Sequence, residues 1–329
     1  MKTLILFFGI FISMASPCVL HAEDTLYVGG FSGLGAATDV AERKGFLEAE
    51  DMTLEFDRVD TSIELMTNFI SGKYDVIQTN ADTIIAWTEG QGMDKQAHDF
   101  IIIMGGYRGR APLELVVAPD ILSIADLRGR VLAVDAINTG YSTMLVYMLR
   151  EEGLVWKKDY ELKSIGGGPM REEAMMKGEI IGGLVPLNDE LKQMGFHRLL
   201  TSLDYITDYA RGVTAARPEW ADQNEDLLVR YIRAMARAIN WLLDPENKQD
   251  AIASIMAANE ISSTEALQIY EEAVNPTFGF IPNARIEPSG IEQILKLREV
   301  MGQMEPPLPS PDKYVDARYY QAAIDSLAR

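Results

Sequence analysis

Residues 131–142 decide the fold, and they read VLAVDAINTGYS. The first four residues are apolar, a short polar loop follows, and a helical pattern begins near residue 140. This is the pattern of a strand whose carboxyl end meets the amino end of a helix, where the first-turn N–H groups have no partner within the helix. Ligands of open α/β sheets bind at such junctions. The stretch therefore predicts an α/β protein with a ligand site beside this loop.

The unit around this stretch occurs twice along the chain. Residues 26–82 and 131–188 share one order of apolar runs and glycines, which predicts strand, polar loop, helix, strand, helix, glycine, strand and loop in each. The closing halves match most visibly, with FISGKYDVIQ at 69–78 and MMKGEIIGGLVP at 175–186. An internal repeat of this kind predicts two similar α/β lobes. The alternative is that independent βα units resemble one another.

Periodicity and capping residues place several helices. Thr61 or Ser62 is expected to cap a helix whose buried face carries Ile63, Met66 and Ile70 at three-and-four spacing. Further along, the sequence predicts a long amphipathic helix over 224–243, a capping box formed by Ser262 and Glu265, and a helix over 288–304. The part of the chain after the second repeat is therefore predicted to be mostly helical.

The first 22 residues, MKTLILFFGIFISMASPCVLHA, are typical of a secretory signal peptide. A lipoprotein signal is the alternative because Cys18 is present, but Pro17 stands where such a signal needs a small residue. Removal of this segment would also remove the only cysteine, which excludes disulfides and thiol chemistry from the mature chain and suits a bacterial periplasmic protein. We expect free export to the periplasm.

Composition excludes other classes of function. The formal net charge is −19, so no basic stripe exists to neutralise nucleic-acid phosphates. Beyond the signal peptide only His98 and His197 remain, too few for a metal site made of histidines. No pair of carboxylates lies at a spacing that nominates an acid and a base. We therefore expect no metal, no cofactor and no catalysis.

The candidate ligand-binding residues lie at predicted strand carboxyl ends, helix amino ends or a crossover between lobes. They are Phe31, Ser32, Gly33, Thr61, Ser62, Asn80, Asp82, Tyr107, Asp135, Asn138, Thr139, Tyr141, Gly167, Arg171 and Asn188. Each has a structural alternative. Asn80 and Asp82 could serve as helix caps, Arg171 could form a surface ion pair with its glutamate neighbours, and Tyr107 could pack in a hinge.

Several segments in this order resemble the NitT/TauT-type periplasmic solute-binding proteins of ABC transporters. The resemblance spans about residues 25–245 and rests on these segments: KGFLEAEDMTLEF, LMTNFISGKYDVIQTNADTIIAW, ILSIADLRGRVLAV and MMKGEIIGGLV. It implies a type II periplasmic-binding fold, in which two α/β lobes joined by two crossover segments trap a ligand between them. It also implies delivery of that ligand to a membrane permease and its ATPase, by a protein that we expect to be monomeric.

The expected domains follow from that resemblance and from the repeat. Lobe I is predicted to comprise residues 23–108 and 214–329, and lobe II residues 109–213, with crossovers near 107–111 and 210–214. The chain departs from the family at Glu50–Met52, where a glycine is usual, and in the loop DAINTGYS. Substrate identity is therefore not implied. A ligand-sensing subunit and an enzyme on the same fold, such as a pyrimidine synthase, are the alternatives to transport.

The residues narrow the ligand to two classes. Helix amino ends and hydroxyl or amide side chains favour a small organic anion, a carboxylate or a sulfonate, with Arg171 as its counter-charge. Asp82 and Asp135 favour instead a ligand with N–H donors, such as a nitrogen heterocycle, because a carboxylate beside an anionic ligand is costly. Phe31, Tyr107 and Tyr141 could stack on a flat ring. The sequence ranks the anion slightly ahead.

Overall fold

The computed structural model describes residues 24–31, 35–109, 113–137, 139–206 and 208–327. The predicted signal peptide lies outside the described residues, as do the candidate residues Ser32, Gly33 and Asn138. The described strands are β1 (Asp24–Gly30), β2 (Met52–Arg58), β3 (Val76–Thr79), β4 (Ile101–Met104), β5 (Glu114–Val117), β6 (Val131–Val134), β7 (Glu161–Ser164), β8 (Gly182–Leu184), β9 (His197–Thr201) and β10 (Val213–Ala216).

The described α-helices follow the strands of each repeat and then fill most of the C-terminal part. They are α1 (Gly35–Arg43), α2 (Ser62–Ile70), α3 (Ala81–Thr88), α4 (Gly140–Glu151), α5 (Gly168–Met176), α6 (Asp189–Gln193), α7 (Pro218–Gln223), α8 (Glu225–Leu243), α9 (Lys248–Asn259), α10 (Ser263–Ala273), α11 (Pro288–Val300) and α12 (Arg318–Leu327). Within the described residues, none of these helices combines the length and the apolar character that crossing a membrane requires.

The two sheets have the same construction. One has the strand order β2-β1-β3-β10-β4 and the other β7-β6-β8-β5-β9. In each, the first three strands are parallel, and the fourth runs antiparallel to both of its neighbours. The strands of the first repeat therefore correspond one by one to those of the second, which confirms the predicted pair of similar α/β lobes.

The chain passes between the sheets twice. It leaves the first sheet after β4, enters the second at β5, and returns after β9 to supply β10 of the first sheet. We use lobe I for the part built on the first sheet and lobe II for the part built on the second. The predicted boundary at residues 108/109 lies in the first connection, whereas the one at 213/214 falls inside β10, just after that strand begins. Both boundaries stay a prediction.

Helix α2 corrects one expectation about the core. Ile63 and Ile70 were predicted to be buried, but their exposed fractions are 48% and 36%, whereas Leu65, Met66 and Phe69 are buried. Apolar residues lie on both sides of this short helix, so its periodicity alone does not fix which face is inside. The buried face is the one that carries Leu65 and Phe69, because these side chains pack with the buried residues of β3 and α3.

The C-terminal helices cover lobe I. The predicted face of α8 is buried, with Leu228, Ile232, Met235 and Ile239 all in the core. The capping box of α10 is confirmed, since Ser262 and Glu265 exchange hydrogen bonds. Helix α11 ends four residues earlier than predicted, because the chain turns at Gly302 with a φ of +66°.

Candidate functional site

The two lobes meet where one helix of each begins. Helix α3 follows β3 directly, and α4 follows β6 after a short loop, so both helices start at the carboxyl edge of their sheet. The approach is close at Gly140, the first residue of α4. A Cβ atom there would lie 2.2 Å from the hydroxyl oxygen of Tyr209 and 2.9 Å from Oδ2 of Asp82. A side chain at this position would force Tyr209 and Asp82 to move, so the close contact between the lobes favours glycine.

Asp82 is the centre of this contact. Its exposed fraction is 3%, and its Oδ1 lies 3.0 Å from Nη2 of Arg298, a residue of α11 that is fully buried. The backbone N–H of Gly140 also donates to the Asp82 carboxylate. Burial raises the pKa of Asp82 above its ordinary value, while Arg298 and the Gly140 N–H oppose that rise. The carboxylate thus joins α3, α4 and α11.

Arg298 is held from several sides. It donates to the main-chain oxygen of Asp82 at 3.2 Å, to Oε1 of Gln303 at 3.0 Å and to the side-chain oxygen of Gln91. A buried guanidinium needs such partners, because desolvation without them costs several kcal/mol, about 3–5 when one member of a buried pair is removed. Arg298 therefore fixes the position of Asp82 rather than only neutralising it.

A second carboxylate comes from lobe II. Asp135 follows β6 directly, is half-buried, and accepts a hydrogen bond of 2.5 Å from the hydroxyl of Thr139. Its negative charge contributes to the raised pKa of Asp82, so the two carboxylates act on each other across the contact between the lobes. The structure thus brings together two of the predicted site residues, one from each lobe.

The other described candidates of the α4 loop mainly shape that loop. Thr139 is the N-cap of α4, and its hydroxyl accepts from the Ser142 N–H at 3.5 Å. Its one proton is shared between the Asp135 carboxylate and the Ala136 oxygen, which lies 2.9 Å away. Tyr141 is half-buried and packs against the core of lobe II. This loop is therefore held by its own hydrogen bonds, with Asp135 as its partly exposed charge.

Three candidates of lobe II serve internal structure. Arg171 is buried and donates to the main-chain oxygens of Gly166 and Leu184, the latter at 3.1 Å. Asn188 caps α6 through the Leu191 N–H at 2.9 Å and donates to Glu172. Gly167 is the N-cap residue of α5. The Arg171 guanidinium thus ties α5 to β8 instead of standing at the surface beside the neighbouring glutamates.

In lobe I, the described candidates differ in how they are used. The Thr61 hydroxyl caps α2 by accepting from the Glu64 N–H at 3.1 Å, and Ser62 is the first residue of that helix. Asn80 is the N-cap residue of α3, but its side chain makes no capping hydrogen bond. Phe31, at the end of β1, packs partly buried against the cluster that contains Met144 of α4.

Tyr107 lies where the two crossovers run side by side. Its N–H donates to the oxygen of Arg211 at 3.0 Å, and its ring stacks on Phe280 with centroids 4.0 Å apart. The Arg211 guanidinium lies 4.1 Å from the centre of the same ring and pairs with Glu272 at 2.6 Å. Burial raises the pKa of the Tyr107 hydroxyl to about 12. These contacts make Tyr107 a hinge-packing residue.

Sequence reasoning missed the partners that complete the contact between the lobes. Arg298 lies on an amphipathic helix, where an arginine normally indicates the solvent side, and Tyr209 lies in a polar connection with no distinguishing pattern. Gly140 was within the decisive stretch, but its close approach to Asp82 depends on the arrangement of the lobes. Among the described residues, no group of three or more histidine, cysteine, aspartate or glutamate side chains is placed to hold a metal ion.

Comparison with known proteins bears on the family and the fold. A model of the NMT1-like family matches residues 24–257. The periplasmic nitrate-binding protein NrtA from Synechocystis PCC 6803 aligns with a TM-score of 0.73 at 15% identity, over 92% of this chain and 89% of that chain. A search of curated proteins finds no match.

Two further solved structures share the fold at 15% identity, each over 91% of this chain and 99% of its own. The ligand binding component of an ABC-type import system from Staphylococcus aureus, solved with zinc bound, gives a TM-score of 0.69. The periplasmic aliphatic sulphonate binding protein SsuA from Escherichia coli gives 0.66. These likenesses confirm the predicted periplasmic-binding fold with two α/β lobes.

Proposed function

Because the chain belongs to the NMT1-like family, we propose that it is the periplasmic solute-binding component of an ABC importer. It captures a small molecule between its lobes and delivers it to a membrane permease and its ATPase. The observation that carries the proposal is the convergence of polar groups from both lobes, Asp82, Asp135 and Gly140, where strand carboxyl ends and helix amino ends face each other.

Other features support the same function. The leader-like first 22 residues contain the only cysteine, which fits an exported protein without disulfides. Proteins of similar fold include components that are named for ligand binding in ABC import. Two crossovers that pair side by side at Tyr107 and Arg211 provide the hinge that such capture needs. The proposed role is binding and delivery by a monomer, without a cofactor or a catalytic step.

A thermal-shift screen tests the proposal. The panel contains small organic anions, such as sulfonates and carboxylates, and nitrogen heterocycles and amines. A ligand at a hundredfold its dissociation constant adds about 2.7 kcal/mol to the free energy of unfolding, so the melting temperature should rise visibly. Asn80→Ala should remove that response, because the Asn80 amide stands at the α3 amino end without capping the helix.

Asn240→Ala is the matched control, since Asn240 is exposed on α8. It should respond to the ligand as the unaltered protein does. Small-angle scattering supplies a second readout, because a ligand that selects the closed state should contract the molecule. Capture between hinged lobes would be contradicted if no compound of the panel stabilises the protein, or if a compound binds and the protein does not contract.

A further inference from the structure

The amino end of α4 is the position in lobe II where a small anion would be expected. Helix α4 has 12 residues and begins at the contact between the lobes. Its first-turn N–H groups and the helix dipole favour negative charge. In this chain a negative charge is already there, since the Asp82 carboxylate of lobe I accepts the Gly140 N–H and lies against the first residue of the helix.

This internal carboxylate is a built feature. The exposed fraction of Asp82 is 3%. Arg298 holds this residue in two ways, through the side-chain ion pair at 3.0 Å and through a hydrogen bond to the main-chain oxygen of Asp82. An incoming anion would have to displace Asp82 from Gly140 and leave a fully buried guanidinium without its partner. Otherwise it would lie beside Asp82 and Asp135 together, and like charges at short range in a dry site repel strongly.

Two described arginines of the loops at this contact and at the crossovers, Arg171 and Arg211, are already engaged elsewhere. Arg171 donates to two main-chain oxygens of lobe II, and Arg211 pairs with Glu272 while stacking on Tyr107. Asp135, in contrast, is half-buried and accepts a hydrogen bond from the neutral hydroxyl of Thr139. Because Arg298 already pairs with Asp82, the charge that remains to act on a ligand at this contact is the negative charge of Asp135.

We propose that Asp82 acts as an internal anion that fills the amino end of α4, so that the cleft selects a neutral or cationic ligand with N–H donors and rejects small oxyanions. The proposal rests on the proposed function for the existence of a cleft ligand. It assigns Asp82 as a specificity-determining residue and reverses the ranking of ligand classes that the sequence favours. Asp135 is the group expected to accept the ligand N–H.

Removal of the internal anion should create an anion site. Asp82→Ala leaves the Gly140 N–H and the Arg298 guanidinium facing a vacated carboxylate position, into which acetate or formate fits. Isothermal titration and thermal shift with acetate, formate, nitrate and methanesulfonate should give no saturable response in the unaltered protein. In Asp82→Ala the affinity for acetate or formate should rise by about tenfold or more, since two donors then become available.

Controls separate this effect from general salt effects and from misfolding. Asp189→Ala removes an exposed carboxylate of α6 and should create no anion response. Asp82→Ala with Arg298→Met should lose the response of the single variant. If Asp82→Ala does not fold, Asp82→Ser, whose shorter side chain also vacates the carboxylate position, provides the test, and its melting temperature should rise with acetate more than that of the unaltered protein.

The outcomes distinguish this proposal from the proposed function. Saturable binding of nitrate or methanesulfonate by the unaltered protein would overturn the inference while supporting solute capture. Binding of acetate or formate by the Asp82 variants would support the role of Asp82 as an internal anion, even if no compound of the wider panel binds to the unaltered protein. In that case only the proposal of solute capture fails. Variants that fold and remain indifferent to all four anions would overturn the inference.

Discussion

The two lobes share one sheet order but use equivalent positions differently. After β3 of lobe I, Asn80 does not cap α3, and Asp82 reaches across to lobe II. After β8, the equivalent strand of lobe II, Asn188 caps α6 and bonds Glu172 within its own lobe. The same strand-to-helix junction thus serves contact between the lobes in one case and local structure in the other.

The lobes also differ in what covers them. In lobe I, α8, α9, α10 and α12 pack with α1 and the first sheet into one large cluster of buried residues, and α11 packs with α2 and α3 into a second large one. In lobe II the buried residues divide into a larger cluster beside α4 and two small ones. A repeated sheet therefore does not imply equal environments, and the cover supplied by the C-terminal helices brings buried charges with it, among them Arg298.

The strongest test of this difference is Arg298→Met. Loss of the guanidinium leaves the Asp82 carboxylate buried and uncompensated, so the free energy of unfolding should fall by about 3–5 kcal/mol. Urea denaturation measures the change. Arg298→Met with Asp82→Asn should recover most of the loss, because the buried charge is then gone. A cost below about 1 kcal/mol for the single variant would mean that Asp82 does not depend on its C-terminal partner.

A smaller effect should follow from the cover over α1. Asp39 of α1 lies under α9 and accepts from Nδ2 of Asn259 at 2.7 Å. Burial raises the pKa of Asp39 from 3.8 to about 6, although the Asn259 bond opposes the rise. The folded state then holds more protons than the unfolded state between these values, so the free energy of unfolding falls as the pH rises through this window.

Asp39→Asn removes this titration and keeps the acceptor for Asn259. At pH 7 the variant should be more stable than the unaltered protein by about 1–2 kcal/mol, a figure reduced for solvent screening of a half-buried group. Near pH 4 the two should be equal. Urea denaturation at both pH values measures the difference. A difference that does not change with pH would show that the C-terminal cover does not perturb this carboxyl.

The sequence predicted the features that depend on residues close together along the chain. Strand β6, the cap at Thr61 and the capping box of α10 follow from local periodicity and capping chemistry, and the repeat predicted both lobes. The ion pair of Asp82 with Arg298 joins residues 216 positions apart, so no local pattern could indicate it. The face of α2 was misjudged for a related reason, since the choice between Ile63 and Leu65 is made by tertiary packing.

The smallest expected effects compare the caps of two equivalent helices, α2 and α5. Thr61 caps α2 with its hydroxyl, whereas Gly167 begins α5 without a side chain. Thr61→Ala should lower the free energy of unfolding by about 1 kcal/mol, and Gly167→Ser should raise it by about 0.3 kcal/mol, since a serine oxygen can accept the Met170 N–H. The new side chain has room, because a Cβ at Gly167 meets only Pro169, at 3.9 Å.

Urea midpoints measure both shifts, and both variants should keep their full response to the ligand. Thr61→Ala with unchanged stability but no ligand response would instead make Thr61 a ligand contact, and the two junctions would then differ in function as well as in capping.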